Sequence, residues 1–70
     1  MNLRIELEQE EDGRWIAEVP ELPGVLAYGV TPRQAAAKVQ VIALRVLAER
    51  LERGDDSLGS IRIDLPSEVA

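Results

Sequence analysis

The chain has 70 residues, 46% of them hydrophobic, with no cysteine, no histidine and a formal net charge of −5. The length fits one domain, residues 1–70, and the two missing residue types exclude disulfides, thiolate metal sites and catalysis by an imidazole or a thiol. The acidic balance argues against direct binding to nucleic acid, whose phosphates need Lys and Arg. It either maintains solubility alone or attracts a basic protein.

Two alternating segments open the chain. Apolar side chains occupy every second position in Leu3–Leu7 and again in Trp15–Val19. This period of two predicts two strands, each with one buried face. The polar residues that end at Gly13 suit a hairpin turn between them, and Pro20 ends the second strand because it cannot donate to a ladder.

A stiff connector with two prolines, residues 20–24, leads into a third strand. This strand, Val25–Tyr28, is short and apolar on both faces, and Gly29 closes it.

The strongest local signal predicts a long helix. Thr31 and Gln34 match a capping box, in which the Gln34 side chain reaches back to Thr31, and Pro32 stands at the first helical position. The helix is expected to run to about Arg53 and to stop at Gly54, which can adopt a left-handed conformation.

A fourth strand follows the helix. Ile61–Leu65 alternates with period two, Pro66 ends it, and the tail at 67–70 is expected to fray. Together the elements predict an α+β fold of order β-β-β-α-β. Its small antiparallel or mixed sheet carries the one long helix packed on one face.

At 100° per residue the helix has two apolar stripes. One is expected to cover the sheet and consists of Ala35, Val39, Ile42, Ala43, Val46 and Leu47. The second stripe, on nearly the opposite side, consists of Val41, Leu44, Ala48 and Leu51. Because one small sheet buries one stripe, the second stripe is expected to pack against another chain, in a homodimer or homotetramer. The alternative is that loops or the C-terminal tail cover it.

Catalytic chemistry is not expected. The strand carboxylates lie opposite the apolar positions, where a solvated face belongs, and they are Glu6, Glu8, Glu18 and Asp64. The serines have no histidine to activate them. We therefore predict no enzyme activity, no metal site and no cofactor.

Three further side chains are candidates for partner contacts. Trp15 is expected to be a core anchor, with a partner contact as the alternative. Tyr28, next to the turn before the helix, suits either role. Pro23 is the third candidate, at the tip of the connector. No run approaches the ~20 apolar residues of a membrane helix, and Met1–Glu6 does not have the composition of a signal peptide, so a cytoplasmic location without membrane contact is expected.

One stretch carries a recognisable family pattern. It reads DGRWIAEVPELPG at positions 12–24, YGVTP at 28–32 and QA at 34–35. This pattern resembles the HicB-like family of antitoxins, and its most specific part is VPELPG followed by Gly29 and Thr31.

The resemblance implies a partial RNase H-like sheet in which the last strand lies parallel beside the first. It also implies a partner, because family members bind and silence a small basic toxin that degrades RNA, and they tend to form dimers or tetramers. Many members carry a further C-terminal DNA-binding domain. Since this chain stops at Ala70, too early for such a module, we expect no DNA-binding domain here, and a regulatory role at DNA stays an open alternative.

Three functions are compatible with these features. The first, which we adopt as the prediction, is a non-catalytic antitoxin-like module whose partner is a small basic toxin encoded beside it. The second is an orphan oligomeric adaptor of the same fold without a toxin. The third is a residual nuclease, which would cleave RNA in the presence of Mg²⁺.

Overall fold

The computed structural model describes residues 1–69, so Ala70 of the predicted tail lies outside the described residues. The strands are β1 (Asn2–Arg4), β2 (Glu6–Gln9), β3 (Trp15–Glu18), β4 (Leu26–Gly29) and β5 (Arg62–Asp64). One helix, α1 (Pro32–Glu52), connects β4 to β5, and a 3-10 turn spans Ser67–Val69. The predicted α+β fold class is confirmed.

The first extended segment contains β1 and β2, which belong to two different sheets. β1 pairs in parallel with β5, whereas β2 pairs antiparallel with β3, which in turn pairs antiparallel with β4. The prediction of one uninterrupted first strand is therefore wrong. Ile5 stands at the change of partner, where its amide still donates to the Asp64 carbonyl at 3.2 Å. The segment stays extended throughout, so only its hydrogen-bonding neighbour changes.

Local signals set both ends of α1. The Thr31 hydroxyl accepts from the Gln34 amide at 3.1 Å, but the Gln34 side chain accepts from the amide of Val30, not from that of Thr31 as predicted. At the other end Gly54 has φ 86°, and its amide donates to the Leu51 carbonyl. A second bond, from Asp55 to Arg50, completes a Schellman motif, which satisfies the last carbonyls of the helix.

The helix packs on β3 and β4 through small side chains. Its buried residues are Ala35, Ala36, Val39, Ala43 and Leu47. Ile42, which the helical wheel assigned to this stripe, is 37% exposed, and Ala36 is buried in its place. Relative to the prediction, the helix is therefore rotated about its axis so that alanines face the sheet. These small side chains let the backbones of the helix and the sheet approach closely. No helix within residues 1–69 is long and apolar enough to cross a membrane.

The β1–β5 end of the core is covered by the chain that follows the helix. Leu58 and Val69 are both buried there, with Leu3 and Ile5, in one continuous cluster. The predicted fraying is therefore wrong for 67–69, because the 3-10 turn carries Val69 into contact with the core and the helix. In contrast, the alternation in Ile61–Leu65 produces only a three-residue strand, and the two end residues of that range stay 40% and 45% exposed.

Candidate protein-binding surfaces

One face of the three-stranded sheet is covered by α1 and the other face is open. The strand register sets two rows of side chains on the open face, Glu6–Glu18–Leu26 and Glu8–Ile16–Tyr28. We refer to these six residues as the outer sheet face. It combines three carboxylates with three apolar side chains, an arrangement that suits contact with a protein more than solvation alone.

The acidic part of this face brings like charges together. Glu6 and Glu18 are direct cross-strand partners. Glu8 lies on the same strand as Glu6, two residues later. Like charges that face each other across a strand pair destabilise a sheet. One cation offsets part of this repulsion, since Nη1 of Arg4 lies 3.9 Å from Oε2 of Glu6. The remaining negative charge is available to accept hydrogen bonds from Lys or Arg.

A depression of about 350 Å³ lies over the acidic part, lined by Glu6, Leu7, Glu8, Ile16 and Glu18. Within residues 1–69, no group of three or more acidic side chains is arranged to hold a metal ion. The lining of the depression combines three carboxylates with two aliphatic residues, a chemistry that suits a basic side chain.

The apolar part is organised around Tyr28. The Tyr28 ring is 40% exposed, and the Arg14 guanidinium lies 4.7 Å from its centroid, within the range of a cation–π contact. Asp12 holds Arg14 in place, because it accepts from both the amide and the guanidinium of Arg14, and these bonds lower the pKa of the Asp12 carboxyl. Leu26, 41% exposed, extends the apolar surface along β4.

An ion pair joins the connector at 20–24 to the end of β1. Nε of Arg4 donates to Oε2 of Glu21 at 2.8 Å, and the Arg4 amide donates to Oε1 at 3.0 Å. These two bonds lower the pKa of Glu21 from its ordinary 4.5 to about 2. The charged form of Glu21 therefore stabilises this contact, in addition to the backbone hydrogen bonds within the connector.

Replacement of this carboxylate should produce a pH-dependent loss of stability. The folded-state pKa of Glu21 is depressed, so its contribution is present above the ordinary pKa of 4.5 and is lost as the pH falls toward about 2. We expect Glu21→Gln to lower the urea midpoint at pH 7 and this difference to shrink steadily below pH 4.5. Urea titrations of both proteins between pH 7 and pH 3 measure it. Glu11→Gln, the same change in an exposed turn, is the control, and a Glu21→Gln deficit that does not change with pH would contradict the assignment.

The three predicted contact residues outside the helix lie on different parts of the surface and core. Tyr28 lies on the outer sheet face, whereas Trp15 is half-buried on the opposite side and packs against the core. Pro23 is exposed in the connector. Trp15 therefore occupies the core position that was one of its two predicted roles.

The second stripe of the helix forms a surface of its own. Val41, Leu44 and Leu51 each expose about half of the side chain (47%, 48% and 52%), and Ala48 is exposed as well. Neither the loops nor the tail through Val69 covers them. Because α1 covers the inner side of the sheet, the second stripe and the outer sheet face lie on opposite sides of the molecule.

Sequence reasoning missed Ile16 and Leu26 as surface residues. The signal that could have found Leu26 was present, because a strand that is apolar on both faces must expose one of them when only one helix is available to cover the sheet. Ile16 lies opposite the buried positions of β3, and the same argument places it on the open face. The three glutamates were recognised as facing solvent but not as a group next to apolar residues.

Comparisons of this chain with protein-family models, with curated proteins and with solved structures found no match.

Proposed function

We propose that this chain is a non-catalytic binding module that neutralises a small basic RNA-cleaving toxin, as the HicB-like antitoxins that it resembles do. The outer sheet face is the docking surface in this proposal. The observation that carries it is the arrangement of Glu6, Glu8 and Glu18 beside exposed apolar side chains on one open face of the sheet.

Charge supports this function in two ways. A protein of net charge −5 accelerates its encounter with a basic partner through electrostatic steering. A toxin that cleaves RNA needs a basic surface to hold the phosphates, and a row of carboxylates competes with RNA for that surface. Inhibition then requires no catalytic group on this chain, only occupation of the site.

The apolar residues of the same face supply the rest of the contact. Aromatic and large aliphatic side chains near the centre of an interface account for most binding energy, while surrounding charges set orientation and association rate. Tyr28 and Leu26 fit the first role and the three glutamates fit the second. The repulsion between Glu6 and Glu18, which lowers the stability of the free domain, is relieved when a cation of the partner lies between them.

The first experiment is a pull-down of the tagged chain from its native lysate, with mass spectrometry of the eluted proteins. A small basic protein in stoichiometric amount, which cleaves RNA alone and is inhibited by this chain, supports the proposal. Recovery of this chain alone favours the orphan adaptor. A chain that cleaves RNA by itself in the presence of Mg²⁺ would overturn the non-catalytic assignment.

Glu18→Lys should weaken the complex without unfolding the domain. Reversing one of the three charges removes an attraction and adds a repulsion, for which we expect at least a ~10-fold increase in Kd, mostly at low salt. Isothermal titration with the recovered basic protein at two salt concentrations measures it.

The free variant provides an internal check on this result. The introduced ammonium group would face Glu6 and replace a like-charge pair with an opposite-charge pair, so the melting temperature should be unchanged or higher. Asp56→Lys makes the same change in net charge on the loop after α1 and is the matched control. Equal losses in both variants would show that net charge, and not the outer sheet face, determines binding.

A further inference from the structure

The exposed side of α1 has the spacing of a coiled-coil seam. Adding Ala37 to the second stripe extends it toward the N-terminus of α1, and we call the five residues the helix seam: Ala37, Val41, Leu44, Ala48 and Leu51. They follow one another at intervals of four, three, four and three residues, which is the a/d pattern of a heptad repeat. All five are exposed in the single chain, over about four turns of helix.

We infer that α1 pairs with α1 of a second copy of this chain, in antiparallel orientation, through the helix seam. A twofold axis near Leu44 places Leu44 against its own copy and Val41 against Ala48 of the second copy. The same axis places Ala37 against Leu51 of the second copy. The inference rests on the helix alone and does not depend on the proposed toxin-binding function.

Side-chain size favours the antiparallel orientation. In this register each small residue of the seam meets a larger one, Ala37 with Leu51 and Ala48 with Val41, so the facing side chains interdigitate without voids. A parallel pair in register would place alanine against alanine at two levels. Those two levels would leave gaps in the seam, and such gaps weaken packing.

Charge favours the same orientation independently. The polar band beside the seam is segregated along the helix, with Lys38 and Arg45 in its first half and Glu49 and Glu52 in its second half. An antiparallel partner brings Lys38 next to Glu52 of the second copy, twice per dimer. Arg45 meets its own copy beside the axis, and Glu49, one turn away, offsets part of this repulsion while its carboxylate also accepts from Arg53. A parallel partner would place the two bands on opposite sides of the helix pair, where Lys38 and Glu52 of the second copy could not meet.

The pairing leaves the other surface accessible. The outer sheet face lies on the far side of the sheet from α1, so a dimer built on the helix seam presents two such faces that point away from the axis. A dimer of this kind can bind two partner molecules at once.

Sedimentation equilibrium of the full chain tests the association. We expect a monomer–dimer equilibrium and at least a ~100-fold weaker dimer for Leu44→Glu, which places two carboxylates at the axis. Leu65→Glu is the matched control, since Leu65 is 45% exposed against 48% for Leu44 but lies on the segment after β5. A strict monomer at about 1 mM, a concentration at which even weak contacts are populated, would overturn the inference. So would loss of the dimer in Leu65→Glu but not in Leu44→Glu.

Disulfide trapping tests the orientation, because the chain has no cysteine of its own. Val41→Cys and Ala48→Cys are prepared separately with tags of different mass, mixed and oxidised. The antiparallel register predicts a cross-linked heterodimer as the main product. Predominant homodimers in the mixture would indicate a parallel pair and contradict the proposed register.

Discussion

Gly29→Ala is expected to be among the most damaging single changes in this chain. An added Cβ would lie 2.5 Å from the backbone nitrogen of Ala35 and 2.9 Å from its Cα, where carbon atoms normally stay about 3.5–4.0 Å apart. These neighbours belong to the helix backbone, so a side-chain rotation cannot relieve the overlap and α1 must move off the sheet. We expect a loss of ~3 kcal/mol, at the upper end for overpacking. Thermal and urea unfolding followed by circular dichroism measure it.

Such a loss would be most of the free energy of unfolding of the domain. A core of this size typically provides ~3–5 kcal/mol, and each kcal/mol shifts the melting temperature by ~4–8 °C in a domain of this length. We therefore expect Gly29→Ala to melt at least ~12 °C below the natural chain.

Gly13→Ala is the informative control. Gly13 has φ 92°, which disfavours alanine, but nothing lies within 4 Å of its added Cβ. The left-handed penalty is ~1–2 kcal/mol. If backbone angle governed both sites, Gly13→Ala would be the worse change, whereas the helix contact predicts that Gly29→Ala is worse. The observed order of the two melting temperatures therefore decides between the two causes.

Gly29 also shows why some of the fold was not predictable from sequence. The ends of α1 were predicted within one residue, because Thr31 and Gly54 act through bonds to residues three to five positions away. The role of Gly29 depends on the approach of two elements that meet only in the folded chain. From the sequence Gly29 was interpreted as the residue that closes a strand. No local sequence pattern predicts its distance from Ala35.

The change of sheet partner at Ile5 could not be predicted from the sequence for a similar reason. Alternation reports which face of a strand is buried, and Leu3, Ile5 and Leu7 do face the core side throughout. It does not report which neighbour each backbone group bonds with. β1 and β2 therefore look identical in pattern although one pairs with β5 and the other with β3.

The two candidate surfaces differ in how far the sequence predicted them. The second stripe of α1 follows from helical periodicity and the limit on what one small sheet can cover, so its four residues were predicted together. On the outer sheet face, Tyr28 alone was predicted as a contact residue, and the three glutamates were predicted only to face solvent. Its grouping of glutamates with Ile16 and Leu26 requires the register of three strands, which the sequence does not specify.

Leu47→Ala should be nearly as damaging as Gly29→Ala, through a cavity instead of an overlap. Leu47 is 1% exposed and is among the largest fully buried side chains in residues 1–69. Removing three carbons from such a site costs ~2–5 kcal/mol, because transfer energy is lost and the surrounding core relaxes only partly. In a domain of this size we expect a large unfolded fraction at 37 °C, measured by urea titration at low protein concentration.

Leu44→Ala is the matched control, with the same substitution on the same helix, three residues earlier. In a dilute single chain about half of Leu44 is exposed, and alanine is a slightly better helix former, so the change should stay within ~0.5 kcal/mol. A cost for Leu44→Ala equal to that of Leu47→Ala under dilute conditions would mean that the helix seam is covered within one chain. If the seam is instead uncovered in the single chain, the stability deficits of the two variants should respond differently to protein concentration. Self-association stabilises the natural chain by mass action, so the deficit of Leu44→Ala should grow with concentration while the cavity at Leu47 keeps a cost of its own.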